Sequence, residues 1–263
     1  VQTRNYYSAN VYANYDETFA DAHHVSATAG FNYETWSSKN VSVAGINLSS
    51  INLDDLNLAT GSPTEGAYGG GQNEYALAGF FARINYDYKG RYLFEVSGRY
   101  DGSSRFAPGN RWGLFPSASA GWRISEEPFF GNAKDLVDNL KLRASYGVTG
   151  NNRIDYDAAL EVYESQNYVL GDGTGTLQPG VAPAAVLANR DITWEQTDEF
   201  NVGLDAGFVD NRINLTLDAY YSETRALLFA QPMQSFTGYT KHWNNIGRVR
   251  NAGVEIQLDT YNF

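Results

Sequence analysis

The sequence predicts an all-β protein, an antiparallel transmembrane β-barrel seen as an open segment of about nine strands. Three observations carry that prediction. Long runs alternate strictly between apolar and polar residues, the connections between runs alternate between tight and long, and aromatic residues gather near the ends of the runs.

Composition sets the bounds. The chain has 263 residues, with 19 Tyr against a single Met and 26 Gly. Tyr and Phe favour strands, while Gly and Asn favour the turns between them. The formal net charge of -11 makes nucleic acid an unsuitable partner, because neutralising phosphates needs clustered Lys and Arg. With no cysteine, the segment holds no disulfide framework, thiolate metal site or cysteine nucleophile. No run approaches the ~18 consecutive apolar residues of a membrane-spanning helix. A barrel is not excluded by that, since polar lumenal residues dilute its apolar signal.

The alternation is clearest near the C-terminal end. Phe200, Val202, Leu204, Ala206 and Phe208 oppose Glu199, Asn201, Gly203, Asp205 and Gly207, and then Ile213, Leu215, Leu217, Ala219 and Tyr221 oppose Asn214, Thr216 and Asp218. Asp210-Asn211 joins the two runs as a hairpin. The same period recurs over Val25–Tyr33, Tyr92–Tyr100, Leu140–Val148 and Val254–Leu258. Runs of roughly ten to fourteen residues exceed the usual five or six of globular strands and suit a tilted bilayer crossing. Alternation alone does not separate a barrel from a sandwich, which would bury the apolar face under a second sheet.

Connection lengths do separate them. Glu17–Asp21, Lys89-Gly90, Glu126–Asn139 and Asp210-Asn211 are compact, with a helical turn expected over Ala133–Val137. Ser37–Asn73, Gly102–Asn110, Gly150–Asp191 and Glu223–Gly247 are the longer partners. Short turns on one rim and long loops on the other are the barrel pattern. Tyr15, Trp36, Tyr86 with Tyr88, Trp112 with Trp122, Trp194 with Phe208, and Tyr220-Tyr221 fit interfacial girdles, with ordinary cross-strand aromatic pairing as the alternative. Pro116, inside a strand, suggests a bulge or kink.

Several stretches resemble one family. They are Asn85-Tyr86-Asp87-Tyr88-Lys89-Gly90-Arg91-Tyr92, Arg99-Tyr100-Asp101-Gly102-Ser103-Ser104-Arg105-Phe106, Trp112-Gly113-Leu114-Phe115-Pro116-Ser117, and Gly121-Trp122-Arg123-Ile124. Leu140–Gly147 with Gly150-Asn151-Asn152, Trp194-Glu195-Gln196-Thr197, and Asn251-Ala252-Gly253-Val254-Glu255 continue the series. In this order, over roughly Asn73 to Leu258, they resemble the SusC/RagA family of TonB-dependent outer-membrane receptors. The resemblance implies a 22-stranded barrel in the bacterial outer membrane that imports oligosaccharides or peptides. TonB would open a plug within the barrel, beneath a SusD-like surface lipoprotein. It also places the plug and the first strands before Val1 and further strands after the Asn251-Ala252-Gly253 motif. Residues 1–263 are thus expected to be part of the receptor's β-barrel domain, with lipid on one face.

Candidate sites are sparse. His23-His24 lie next to each other on a strand, so their rings point to opposite faces and share no metal. Asp54-Asp55 and Asp172-Gly173 lack the spacing of a calcium loop, so no cofactor or metal is expected. Glu126-Glu127 and Asp198-Glu199 show nothing of the separated, differently titrating carboxylates that glycoside hydrolysis needs, and no enzyme activity is predicted. The outer-loop aromatics Tyr68, Tyr163, Tyr168 and Phe229 offer rings for substrate stacking. The group Phe236, Tyr239, His242 and Trp243 is the candidate ligand-binding set. The competing reading is a soluble extracellular β-sandwich used for binding or adhesion.

Overall fold

The structure, a computed structural model, describes residues 1–48, 59–61, 68–169 and 177–261. Nine strands form one antiparallel sheet: β1 (Gln2–Phe19), β2 (His23–Val43), β5 (Tyr68–Tyr88), β6 (Tyr92–Ser103), β7 (Trp112–Arg123), β8 (Asn139–Asn151), β12 (Glu195–Phe208), β13 (Ile213–Arg225) and β16 (Arg248–Thr260). They pair strictly in chain order, and β1 does not meet β16, so the wall is open as expected. The short strands β3 (Ile46–Leu48), β4 (Ala59–Gly61), β9 (Tyr163–Val169), β10 (Leu177–Pro183), β11 (Val186–Leu187), β14 (Leu228–Pro232) and β15 (Lys241–Asn245) lie in the long connections.

Register makes the wall two-faced. One row across all nine strands reads Tyr15, Ala27, Ile84, Val96, Ala118, Tyr146, Phe200, Tyr221 and Ala252. The adjoining row reads Asp16, Ser26, Asn85, Glu95, Ser119, Ser145, Asn201, Tyr220 and Gly253. Because successive side chains alternate, the first row lies on one face and the second on the other. No sheet covers the apolar face among the described residues: Ile84 is 55% exposed, Val96 61% and Val254 71%. A soluble sandwich would bury those side chains, so the sandwich reading fails. Hollows open instead on the polar face, which is the lumenal one. The expected assignment holds, with Phe200, Val202, Leu204, Phe208, Ile213, Leu215 and Leu217 outward and Glu199, Asn201, Asp205, Asn214, Thr216 and Asp218 inward.

Both rims follow the sequence expectation. Pairings Phe19↔His23, Tyr88↔Tyr92 and Phe208↔Ile213 close the three hairpins at one edge, and the β7–β8 link returns there too. Lys89 and Gly90 both take positive φ, the requirement of a tight hairpin turn. Backbone bonds from Lys89 to Ala22, Arg123 to Arg91 and Asp138 to Gly207 stitch neighbouring turns together. Within the β7–β8 link, Val137 N–H donates to the Ala133 carbonyl at 2.9 Å, forming the expected single turn. Outward rings mark both borders of the apolar band. Tyr88, Tyr92 and Trp122 stack in sequence near the turn rim, while Tyr100 and Phe80 meet Trp112 near the loop rim.

Three expectations need correction. β2 and β5 run 21 residues each, so all of Ser37–Val43 and Tyr68–Asn73 is strand rather than loop. Their polar face keeps pairing beyond the apolar band because the ladder needs only backbone groups. The Gly150–Asp191 connection holds the β9–β10 hairpin. Pro116 makes no bulge, since β6–β7 register is unbroken through Gly98↔Pro116. The β7–β8 ladder instead stops at Ser117, next to the residue that has no N–H to give.

Candidate functional site

Among the described residues, the hydrophobic core gathers where the loops meet the lumenal face of the wall. Phe106, Ala107, Phe115, Ile154, Ala158, Ala159, Ile192 and Trp194 cluster on the lumenal side, with Phe106 at 1% and Ile192 at 0% exposure. These residues come from the β6–β7 loop, β7, the β8–β9 connection and the segment leading into β12. Loops of polar sequence carry many backbone groups that must find partners once buried. Asn side chains supply them. Asn245 donates to the carbonyls of Thr193 and Ala226, Asn189 to Trp243 O at 2.7 Å, and Asn110 to Arg190 O at 3.0 Å. Polar connections are thereby held in one arrangement over the lumen.

Beneath that core is an upper lumenal hollow of about 510 Å³, bordered by Asn32, Glu34, Arg99, Asp101, Asn152 and Trp194. Arg99 donates to both oxygens of Asp101, at 3.0 and 2.8 Å, and its guanidinium lies 5.6 Å from the Phe81 ring centre. Glu34 accepts from the Tyr6 hydroxyl at 3.0 Å. Next to it, Trp36, Tyr75 and Tyr156 form three near-parallel rings with centres 5.6–6.0 Å apart. Arg105 lies over Tyr75 and Tyr156 at 4.7 and 4.9 Å and donates to Asn152 O. Its buried Nε has no hydrogen-bond partner among the described residues. A second hollow, of about 490 Å³, lies nearer the turn rim beside His24, Glu95, Lys141 and Arg143. There Arg143 grips Asp205 at 2.8 and 3.0 Å and reaches Asp218 at 3.2 Å, an ion network spanning β8, β12 and β13.

The candidate loop residues separate into two kinds. Phe236 is 87% exposed on the turn between β14 and β15, while Tyr239 beyond it is half-buried. His242 and Trp243 are engaged in holding the loops. His242 Nδ1 pairs with Leu187 O at 3.2 Å, while the Trp243 indole donates to Asp155 at 2.9 Å and its ring packs on the loop core. Lys241 bonds the same Asp155 oxygen at 2.5 Å. Partial burial pushes the Asp155 carboxyl up, yet these two bonds outweigh burial and hold it below the ordinary carboxylate range. His23 and His24 do point apart, to Tyr86 and Asp16 respectively. Asp54-Asp55 and Asp172-Gly173 lie outside the described residues. No cluster of metal-binding side chains occurs among the described residues. Trp36 and Trp194 are not girdle residues as the sequence suggested: Trp36 lies on the lumenal face against Tyr75 and Tyr156, and Trp194 packs in the loop core. The ring group escaped sequence reasoning because its members are 39 and 81 residues apart.

The family profile described as "TonB dependent receptor-like, beta-barrel" matches residues 1–263. The chain belongs to that family. TonB-dependent receptor P39 of Formosa agariphila is 36% identical over 251 residues, covering 93% of this chain and 23% of the relative. TonB-dependent receptor SusC of Bacteroides thetaiotaomicron is 39% identical over 189 residues, covering 70% of this chain and 18% of SusC. The structure of the RagAB peptide transporter superposes with a TM-score of 0.85 at 27% identity, over 99% of this chain and 29% of that one. A siderophore receptor, PirA from Acinetobacter baumannii, shares the fold alone, at 14% identity and a TM-score of 0.59. The chain spans about a quarter or less of the curated relatives it matches. As part of a TonB-dependent receptor barrel of SusC/RagA type, it resides in the outer membrane. Its outward face is the lipid face, and the turn and loop rims lie at the two membrane surfaces.

Proposed function

We propose that the receptor to which this stretch belongs imports an oligosaccharide or a peptide across the outer membrane and performs no catalysis. Residues 1–263 form a part of its barrel domain, the plug lies elsewhere in the protein, and TonB acting on that plug supplies the energy. A SusD-like lipoprotein sits over the loop rim. The observation that carries this reading is the lumenal surface under the loop core. Three tiled rings (Trp36, Tyr75 and Tyr156) adjoin charged and amide groups at Glu34, Asn32, Arg99 and Asp101. Rings offer flat contact area, and the polar groups match hydroxyls or peptide amides. Phe236, projecting from the loops, and the half-buried Tyr239 are the residues proposed to contact the substrate or the lid; His242 and Trp243 act on them by fixing β15.

The test is uptake by cells carrying the full-length receptor, supplied with mixed oligosaccharides and mixed peptides. Import should require the receptor, collapse when TonB is deleted, and weaken for the substrate class bound when Trp36→Ala or Tyr156→Ala is introduced. Uptake of both classes that persists without TonB would refute the reading.

A further inference from the structure

On β12, β13 and β16 the outward positions change character one register step beyond Phe200, Tyr221 and Ala252. Asp198 lies opposite Glu223, and Glu223 opposite Arg250; the next outward step places Arg225 directly opposite Arg248. All five share the parity of the lipid-facing residues, so they look away from the lumen. Arg225 reaches Asp198 at 2.8 Å, while Arg250 and Arg248 reach Glu223 at 2.6 and 3.1 Å. Tyr146 and Tyr221 donate their hydroxyls into the same cluster, to Asp198 and Glu223.

Two features set this cluster apart from a self-sufficient surface ion network. Three guanidinium groups share two carboxylates, and side-chain exposures of 49, 56 and 60% leave N–H donors of Arg225, Arg248 and Arg250 open. The Arg225–Arg248 pair also sets like charges face to face across a ladder, which costs stability unless an anion lies between them. The height is telling. From Phe208 to Phe200 the outward side of β12 is apolar for about 26 Å along the strand, at ~3.3 Å per residue. The arginines begin where that band ends, on the loop side, beside tyrosines of the kind that mark a membrane interface.

We propose that Arg225, Arg248 and Arg250 bind the phosphate groups of a phosphorylated glycolipid in the outer leaflet. Guanidinium forks match phosphate oxygens in pairs, and the bound anion would relieve the Arg225–Arg248 opposition. This docking surface is independent of the lumenal substrate site.

The test uses full-length receptor purified in detergent, with native mass spectrometry reading the binding of a bisphosphorylated lipid A-type glycolipid, its dephosphorylated form and inorganic phosphate. An unchanged β-sheet circular dichroism spectrum and an unchanged heat-dependent gel mobility verify that each variant is folded. The triple variant R225Q/R248Q/R250Q should lose roughly ten-fold or more in affinity for the phosphorylated lipid, as removal of charge-assisted hydrogen bonds implies. Removing the lipid's phosphates should cause a similar loss for the unaltered receptor. The double variant D198N/E223Q, which frees the arginines, should bind the phosphorylated lipid at least as well as the unaltered receptor. The proposal is overturned if phosphorylated and dephosphorylated lipids bind equally, or if the triple variant binds like the unaltered receptor. It is also overturned if inorganic phosphate binds as tightly as the lipid, or if D198N/E223Q weakens binding as the triple variant does.

Discussion

The indole N–H of Trp194 donates to the backbone carbonyl of Arg111 at 2.8 Å. That bond ties the start of β12 to the loop between β6 and β7, across 83 positions of sequence. The Trp194 ring also meets Phe106 and Phe115 at 5.4 and 5.2 Å, so one side chain joins three parts of the loop core. Trp194→Phe should remove one of the two hydrogen bonds the Arg111 carbonyl accepts, the other coming from the Ser103 N–H at 3.1 Å, at a cost of about 0.5–1.5 kcal/mol. Trp194→Ala should cost about 3–5 kcal/mol by opening a cavity as well. Limited trypsin digestion of the full-length receptor reads the effect. Cleavage at Arg105, Arg111 and Arg190 should accelerate in the order unaltered, Phe, Ala, with the strands remaining intact.

Leu142, Leu204, Leu217 and Ile256 form a continuous outward row across four strands. Placing a charge there puts it against hydrocarbon, and Leu204→Arg should destabilise the barrel by about 2–4 kcal/mol. Asn201→Arg, three residues away on the lumenal face, should cost far less because water reaches it. Denaturant titration of the receptor refolded into lipid vesicles compares the two. Equal costs would mean that the faces are assigned wrongly.

Arg143 satisfies two carboxylates at once, so its loss leaves Asp205 and Asp218 facing each other. Arg143→Met should cost roughly 1–3 kcal/mol, less than a fully buried network because lumenal water screens it. Adding Asp205→Asn should recover part of that loss, although Asp205→Asn alone also destabilises. The same titration over a double-mutant cycle detects this coupling. Purely additive costs would show that the network contributes nothing as a unit.

Asp155 carries a pH dependence. Its carboxyl is held below the ordinary value of 3.8, so the folded loops favour the charged form. The stability this adds is fully present above 3.8 and is lost as pH falls through the lower folded value. The protection factors of the β15 amides, corrected for the intrinsic pH dependence of exchange, should therefore fall on acidification below that point. Asp155→Asn should show raised exchange at neutral pH and no further acid step.

The strands, their faces and both rims were legible in the sequence. Period-2 alternation is a local property, and a slip by one residue would have put Glu95 or Arg143 against lipid. Thus Phe200 and Asn201 reveal their faces without any knowledge of what lies beside them. The tight turns were legible for the same reason, since Lys89-Gly90 needs only its own backbone freedom.

The candidate site was not legible, because contacts between distant loops decide it. By sequence Trp243 is a candidate ligand contact or a loop-packing ring; the structure shows its indole N–H donating to Asp155, 88 positions away. Tyr156 carried no signal at all until the loop core brought it against Trp36 and Tyr75. The extent of β2 and β5 was also decided by pairing: backbone groups propagate a ladder past the apolar band whatever the side chains are. By itself the sequence determined which residues face lipid and which face the lumen, since alternation follows from strand geometry. Only the tertiary structure decided which loop residues hold the loops and which remain open to a ligand, because that depends on partners scores of residues apart.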